Sequence, residues 1–221
     1  LALNADGTRV VTGGDDFAVR TWDVATGKLI ESFLEPTKAV TGVAYAGDGK
    51  TAISASSDAS VRRHTAAVKW FVPAHEGGAF CVSFNHDGNA VLSGGADKLV
   101  KQFDLNGAAT RSFASAEAVV RSLAVRGDGL QVAAGCENGQ VLQWKFADAG
   151  LERKLVTPTS IVGLSYSADH LRLATACVDG HLRVFQAADG LLLEDIATPA
   201  PLTAVAYGSD AQTLLAAHAD N

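Results

Sequence analysis

Along the chain, hydrophobic residues alternate with polar or small ones in runs of four to six, and turn residues break the runs at intervals of about 8–12 residues. One kind of run is apolar–small–apolar: VAY at 43–45, VSF at 82–84, LAV at 123–125, LSY at 164–166 and VAY at 205–207. A second kind ends in small residues: VVTGG, AISAS, VLSGG, VAAGC and LATAC. A third follows at once: AVRTWD, SVRRHT, LVKQFD, QVLQWK and HLRVFQ. Alternation of period two with β-branched residues predicts strands. No stretch holds a 3.6-residue apolar period, so the expected fold is all-β, almost without helix.

The turns fix the unit length. Asp6, Asp48, Asp87, Asp128, Asp169 and Asp210 recur at a nearly constant interval, and ten positions after each stands Asp16, Asp58, Asp97, Asn138, Asp179 or Asp220. Gly-containing turns (Gly27, Gly107, Gly150, Gly190) then lead into a fourth strand. Four antiparallel strands repeated about every 41 residues form the blade of a β-propeller.

The segment DGTRVVTGGDDFAVRTWDVATGK (6–28) resembles a WD40 repeat, and the other units read as divergent copies over the whole chain. Trp-Asp stands at Trp22-Asp23 but becomes His64-Thr65, Phe103-Asp104, Trp144-Lys145 and Phe185-Gln186 later. The family's Gly-His dipeptide persists only as Ala74-His75. Kelch units, near 50 residues, fit less well, and no sialidase-type Asp-box is present. The reading is a WD40-like propeller with five four-stranded blades plus the inner half of a sixth, in units of about 1–36, 37–75, 76–116, 117–157, 158–198 and 199–221 of a single partial domain.

The resemblance implies that His, Ser/Thr, Asp and Trp residues of each unit form a hydrogen-bonded staple. Carried over, the members are Thr12, Asp16 and Trp22; His75, Ser93 and Asp97; Asn138 and Trp144; Thr175 and Asp179. No unit holds the full set: Phe103 has no N–H to donate, and Ala134 replaces the hydroxyl beside Trp144. Such residues imitate a Ser-His-Asp catalytic constellation, but a repeated buried staple is the better reading. Small residues at Gly42, Cys81, Ser122, Gly163 and Ala204, and again at Ala44, Ser83, Ala124, Ser165 and Ala206, point to steric fit around the propeller axis. The basic residues Arg20, Arg62, Lys101 and Arg183 are expected to be solvated or to pack their stems on the next blade; Leu142 takes that place in the fourth unit.

Binding specificity is expected where exposed loops depart from the repeat. Two aligned sets fall on one rim: Thr41, Phe80, Arg121, Val162 and Thr203 entering the innermost strands, and Asp15, Ser57, Ala96, Glu137, Val178 and Ala219 before the third strands. Asp15, Phe80, Arg121 and Glu137 are the candidates for partner binding. Arg121 and Glu137 are equally able to form a simple surface pair. Trp70 is a further candidate, lying in an outer strand where other units carry Glu31, Arg111 and Glu152. It marks a lateral contact if exposed; otherwise it refills the space left by His64.

Composition narrows the function. A net charge of −6 argues against nucleic acid as partner. The longest uncharged run, Ile196–Ser209, carries two prolines and a glycine and falls short of the roughly 20 residues that a span requires. No membrane span is therefore expected, and a soluble, cytoplasmic protein is. Three widely spaced cysteines and six dispersed histidines predict neither a metal site nor a disulfide, and no cofactor is implied. The expected function is a non-catalytic scaffold binding a protein or peptide partner. The alternative is a regulatory or structural propeller within a larger multidomain enzyme or electron-transfer protein. Division of the chain length by the repeat length leaves five units and part of a sixth. A six- or seven-bladed or larger ring is therefore expected, completed by flanking sequence, a partner subunit or a second copy.

Overall fold

The structure, a computed structural model, describes residues 1–4, 6–46, 48–64, 68–114 and 116–219. Asp220 and Thr65 of the repeat pattern lie outside the described residues. The chain divides into two compact units, Leu1–Ser112 and Phe113–Asn221.

The first unit contains three antiparallel sheets. The first is β1 (Ala2–Leu3), β2 (Arg9–Gly13), β3 (Val19–Asp23) and β4 (Leu29–Phe33). The second is β5 (Val40–Tyr45), β6 (Ala52–Ser56), β7 (Ser60–His64) and β8 (Val68–Pro73), and the third β9 (Ala79–Phe84), β10 (Ala90–Gly95), β11 (Val100–Asp104) and β12 (Ala109–Ser112). In the second unit, β13 (Val120–Val125), β14 (Gln131–Cys136), β15 (Gln140–Lys145) and β16 (Leu151–Val156) form one sheet. Another comprises β17 (Ile161–Tyr166), β18 (Arg172–Cys177), β19 (His181–Gln186) and β20 (Leu192–Ala197), and β21 (Leu202–Tyr207) pairs with β22 (Leu214–His218). Each sheet runs in chain order. These are the five four-stranded blades and the inner pair of a sixth that the turn spacing predicts. No helix among the described residues is long and apolar enough to cross a membrane.

The repeated aspartates shape the turns. Asp6, Asp48, Asp128, Asp169 and Asp210 each accept a backbone N–H from two positions on, at 2.9–3.0 Å. Asp16, Asp58, Asp97, Asn138 and Asp179 do the same at 3.1–3.3 Å in the second turns. This side-chain mimic of a backbone turn explains Asp or Asn at both places. The residue following the second Asp or Asn has positive φ throughout, whether it is Phe17, Ala59, Lys98, Gly139 or Gly180.

The cores lie between neighbouring blades. Val11, Val19 and Phe33 of the first blade meet Val40 and Ala52 of the second, and Val141 and Leu155 of the fourth meet Ile161, Leu173 and Phe185 of the fifth. Small residues set the approach. A Cβ on Gly13 would fall 2.3 Å from Val40 Cγ1, and one on Gly135 2.5 Å from Ile161 Cγ2. On the innermost strands, a Cβ on Gly42 would come 3.2 Å from Cys81 Cα, and one on Gly163 3.0 Å from Val205 N. That is the steric fit expected of the small innermost positions. Cys81, Cys136 and Cys177 are buried and free, and burial pushes the Cys136 thiol up to about 11.

A feature absent from the sequence pattern recurs at the start of the innermost strands. Val40 pairs with Ser56 and Gly42 with Ala55, leaving Thr41 as an extra residue between them. Phe80, Arg121, Val162 and Thr203 are the extra residues of matching bulges.

Candidate functional site

Where a blade carries a strand hydroxyl at its centre, the partner differs from blade to blade. In the first, Trp22 Nε1 donates to Thr12 Oγ1 at 2.9 Å. In the second, His64 holds the place of Trp22 in the register, opposite Ala52, and its Nε2 lies 2.8 Å from Ser54 Oγ. Phe33 of the first blade packs its ring 4.8 Å from the His64 ring. In the fourth, Ala134 offers no acceptor, and Trp144 Nε1 is buried without a partner among the described residues. In the fifth, Thr175 donates to Arg183 O at 3.3 Å.

The third blade assembles a Ser-His-Asp chain. His75 Nδ1 is 2.7 Å from Asp97 Oδ1, and Nε2 is 2.8 Å from Ser93 Oγ. Burial lowers the His75 pKa despite Asp97. Burial also pushes Asp97 up, but hydrogen bonds from Lys101 and His75 outweigh it and hold the carboxyl below its usual range. The imidazole is therefore neutral, donating from Nδ1 to the carboxylate and accepting the Ser93 proton at Nε2. Ser93 is 0% exposed and His75 3%, so no substrate carbonyl reaches the hydroxyl. Gly95 makes room for the ring, since a Cβ there would lie 2.4 Å from His75 Cγ.

The second-turn Asp has a partner that sequence reasoning missed. Arg20, Arg62, Lys101 and Arg183 are not merely solvated or snorkelling; each pairs with the Asp four positions earlier, at 2.5, 2.9, 2.9 and 2.8 Å. The spacing carried the signal, because the fourth blade loses both partners together at Asn138 and Leu142. Environments differ: Asp58 and Arg62 are nearly buried, whereas Asp16 is exposed and Arg20 half-buried. Burial pushes Asp58 up, but Arg62 and Ser60 hold it far below an ordinary carboxylate.

The rim candidates divide between the two units. In the first, Asp15 is exposed in the β2–β3 turn and Phe80 is half-buried at the β9 bulge. In the second, Arg121 at the β13 bulge pairs with Glu137 of the β14–β15 turn at 2.8 Å. Trp70 is half-buried: its indole N–H donates to Leu105 O at 2.8 Å, and the ring lies over Gly107, in the β11–β12 turn of the next blade. Asn138 and Asp179 shape their turns and do not meet Trp144 or Thr175. Among the described residues no group of three His, Cys, Asp or Glu side chains could hold a metal.

Repeated four-stranded antiparallel blades joined by turn aspartates define a β-propeller repeat protein. Residues 1–23, 27–63, 67–104 and 151–186 match WD40, described as WD domain, G-beta repeat. With more than half of its length matched, the chain belongs to the WD40-repeat family. The unmatched stretch 105–150 holds most of the fourth blade, where Ala134, Asn138 and Leu142 depart from the pattern. Among similar curated proteins, Protein tipD of Dictyostelium discoideum is 26% identical over 154 residues, covering 65% of this chain and 24% of that protein. Transducin beta-like protein 3 of Rattus norvegicus is 31% identical over 166 residues, 66% of this chain and 20% of the relative. WD repeat and SOCS box-containing protein 1 of Xenopus tropicalis is 28% identical over 102 residues, 44% of this chain and 24% of that protein. The chain thus spans about a quarter or less of the length of these curated relatives.

Proposed function

We propose that this chain is a non-catalytic WD40 scaffold that presents its bulged and turn residues to a protein or peptide partner. The observation that carries the reading is the β-bulge shared by the innermost strands from β5 onward, which leaves Phe80 and Arg121 outside the paired register. Bulges re-aim side chains at strand ends, and an aromatic and an arginine are the side chains that anchor interfaces. The buried Ser93–His75–Asp97 chain supports a stapling role for the repeated polar residues over a catalytic one. The uninterrupted recurrence of turn aspartates from Asp6 to Asp210 supports reading 1–221 as one partial propeller domain.

Affinity capture with wild-type protein, followed by binding measurements on the purified captured partner, tests the reading. Phe80→Ala and Arg121→Ala are each expected to weaken binding about tenfold or more, with Asp15→Ala and Glu137→Ala acting in the same direction but less. Unchanged affinity in all four variants refutes the rim as the binding surface.

A further inference from the structure

Away from the rim, the fifth blade carries a hollow of about 510 Å³ at the end of its sheet where the β17–β18 turn lies. Its fourth-blade counterpart, about 270 Å³, is lined by Leu130, Gln131, Lys145 and Glu152 among others. Strand register puts Leu171, Arg172, Gln186 and Leu193 at those same places in the fifth blade. In the fourth blade the hollow is spanned from within, as Gln131 Nε2 donates to Glu152 Oε2 at 2.6 Å. In the fifth, a guanidinium replaces the amide and a leucine replaces the acid.

Arg172 thereby has no carboxylate in ion-pair contact among the described residues. The ion pairs of its blade are Arg183 with Asp179 and Asp195, and His181 Nδ1 is hydrogen-bonded to Asp195 at 2.6 Å. Asp169, on the edge of the hollow, feels the Arg172 charge, but its own hydrogen bonds come from Ser167 Oγ at 2.5 Å and Leu171 N at 3.0 Å. Asp128, opposite, is held by Arg126 Nε at 2.8 Å. The Tyr207 phenol, a neutral group, lies beside Arg172 as a side-chain hydrogen-bond partner. The edge is also strained. His170 has φ +65°, where the first four blades place Gly7, Gly49, Gly88 and Gly129. Its imidazole lies on Gly127, where a Cβ would come 2.7 Å from Cε1.

We propose that this hollow binds a carboxylate carried on a small apolar body, Arg172 holding the carboxylate in the role Glu152 fills in the fourth blade, with Leu171 and Leu193 covering the apolar part. The volume lies within the range of small-ligand pockets, and a guanidinium–carboxylate contact supplies the charge-assisted hydrogen bonds. The carboxylate has two sources: a free small acid, or an acidic residue beside an apolar one in a peptide.

The full chain, isotopically labelled, is titrated by NMR with N-acetyl-leucine, with the blocked peptide acetyl-Leu-Glu-Leu-amide, and with neutral N-acetyl-leucinamide. Either acid is expected to shift the amide signals of residues 169–172 and 193 at millimolar concentration, and the neutral amide is not. Response to N-acetyl-leucine alone assigns the site to small acids; response to the peptide alone assigns it to acidic segments. Arg172→Gln is expected to weaken binding about tenfold. Leu193→Glu, at an exposed position that tolerates a charge, restores the missing acid and is expected to abolish binding even if the Arg172 variant fails to fold. No shift with either acid, equal shifts with the neutral amide, or undiminished binding in Leu193→Glu overturns the proposal.

Discussion

His64 stands where Trp22 stands one blade earlier, and it keeps the same contact: its Nε2 is 2.8 Å from Ser54 Oγ, as Trp22 Nε1 is 2.9 Å from Thr12 Oγ1. An imidazole thus replaces an indole as the partner of the strand hydroxyl, but unlike indole it titrates. Burial, with Arg62 adding to it, lowers the His64 pKa from 6.5 to about 4. The unfolded chain binds the proton below pH 6.5, while the folded chain refuses it until about 4. Stability is therefore full above pH 6.5 and falls as pH drops toward 4. By pH 5 the loss is about 2 kcal/mol. Urea midpoints measured from pH 7.5 to 5 are expected to fall in wild type and to fall markedly less in His64→Phe, which removes this titrating group.

The buried Trp144 N–H lacks the hydroxyl that Thr12 gives Trp22. Ala134→Ser supplies an oxygen at the equivalent register position and is expected to raise stability by about 1 kcal/mol. Thr12→Ala, the reverse change in the first blade, is expected to cost about 1 kcal/mol by removing the acceptor of a half-buried donor. Chemical denaturation of both variants checks the pair of opposite signs.

Gly13 and Gly135 are fixed by the first residue of the following blade's innermost strand. Gly13→Ala and Gly135→Ala are each expected to destabilise by about 1–3 kcal/mol through overpacking. Combining Gly13→Ala with Val40→Ala removes the colliding Cγ1, so the double variant is expected to lose less than the sum of the two single changes. A double-mutant cycle on unfolding free energy measures that coupling.

The Asp58–Arg62 and Asp16–Arg20 pairs share a spacing and differ in burial. Asp58→Asn leaves an uncompensated, nearly buried guanidinium and is expected to cost about 3–5 kcal/mol. Asp16→Asn breaks a solvated pair and is expected to have a small effect, readable as a barely shifted midpoint. Raising the salt concentration weakens the second effect far more than the first, which thermal melts at two ionic strengths resolve.

The blades were legible because alternation and the paired turn aspartates repeat at a fixed offset, and each reflects a local force: burial of one strand face, or an Asx turn. The Ser93–His75–Asp97 chain was legible for the same reason, with all three residue types standing at family positions. Less visible were contacts made by folding back. Asp and Arg four apart look unrelated along a strand, yet the tight turn brings them within 2.5–2.9 Å. Bulges were also hidden, since an added residue leaves no mark on composition. The pairing between third and fourth strands was hidden too: it matches Trp70 to Glu31, Arg111 and Arg153 in place of Glu152. Trp70 itself makes a lateral contact, but with the Leu105–Gly107 turn of its own chain.

The bulged residues at 41, 80, 121, 162 and 203 give the blades a degree of freedom that a regular ladder lacks. A residue outside the register can change its side chain without altering any pairing on either side. Thr, Phe, Arg, Val and Thr occupy what is geometrically one slot, so the slot accepts hydroxyl, aromatic, cationic and aliphatic chemistry in turn. The side chain there can thus be exchanged one letter at a time while the strand pairing of its blade stays the same.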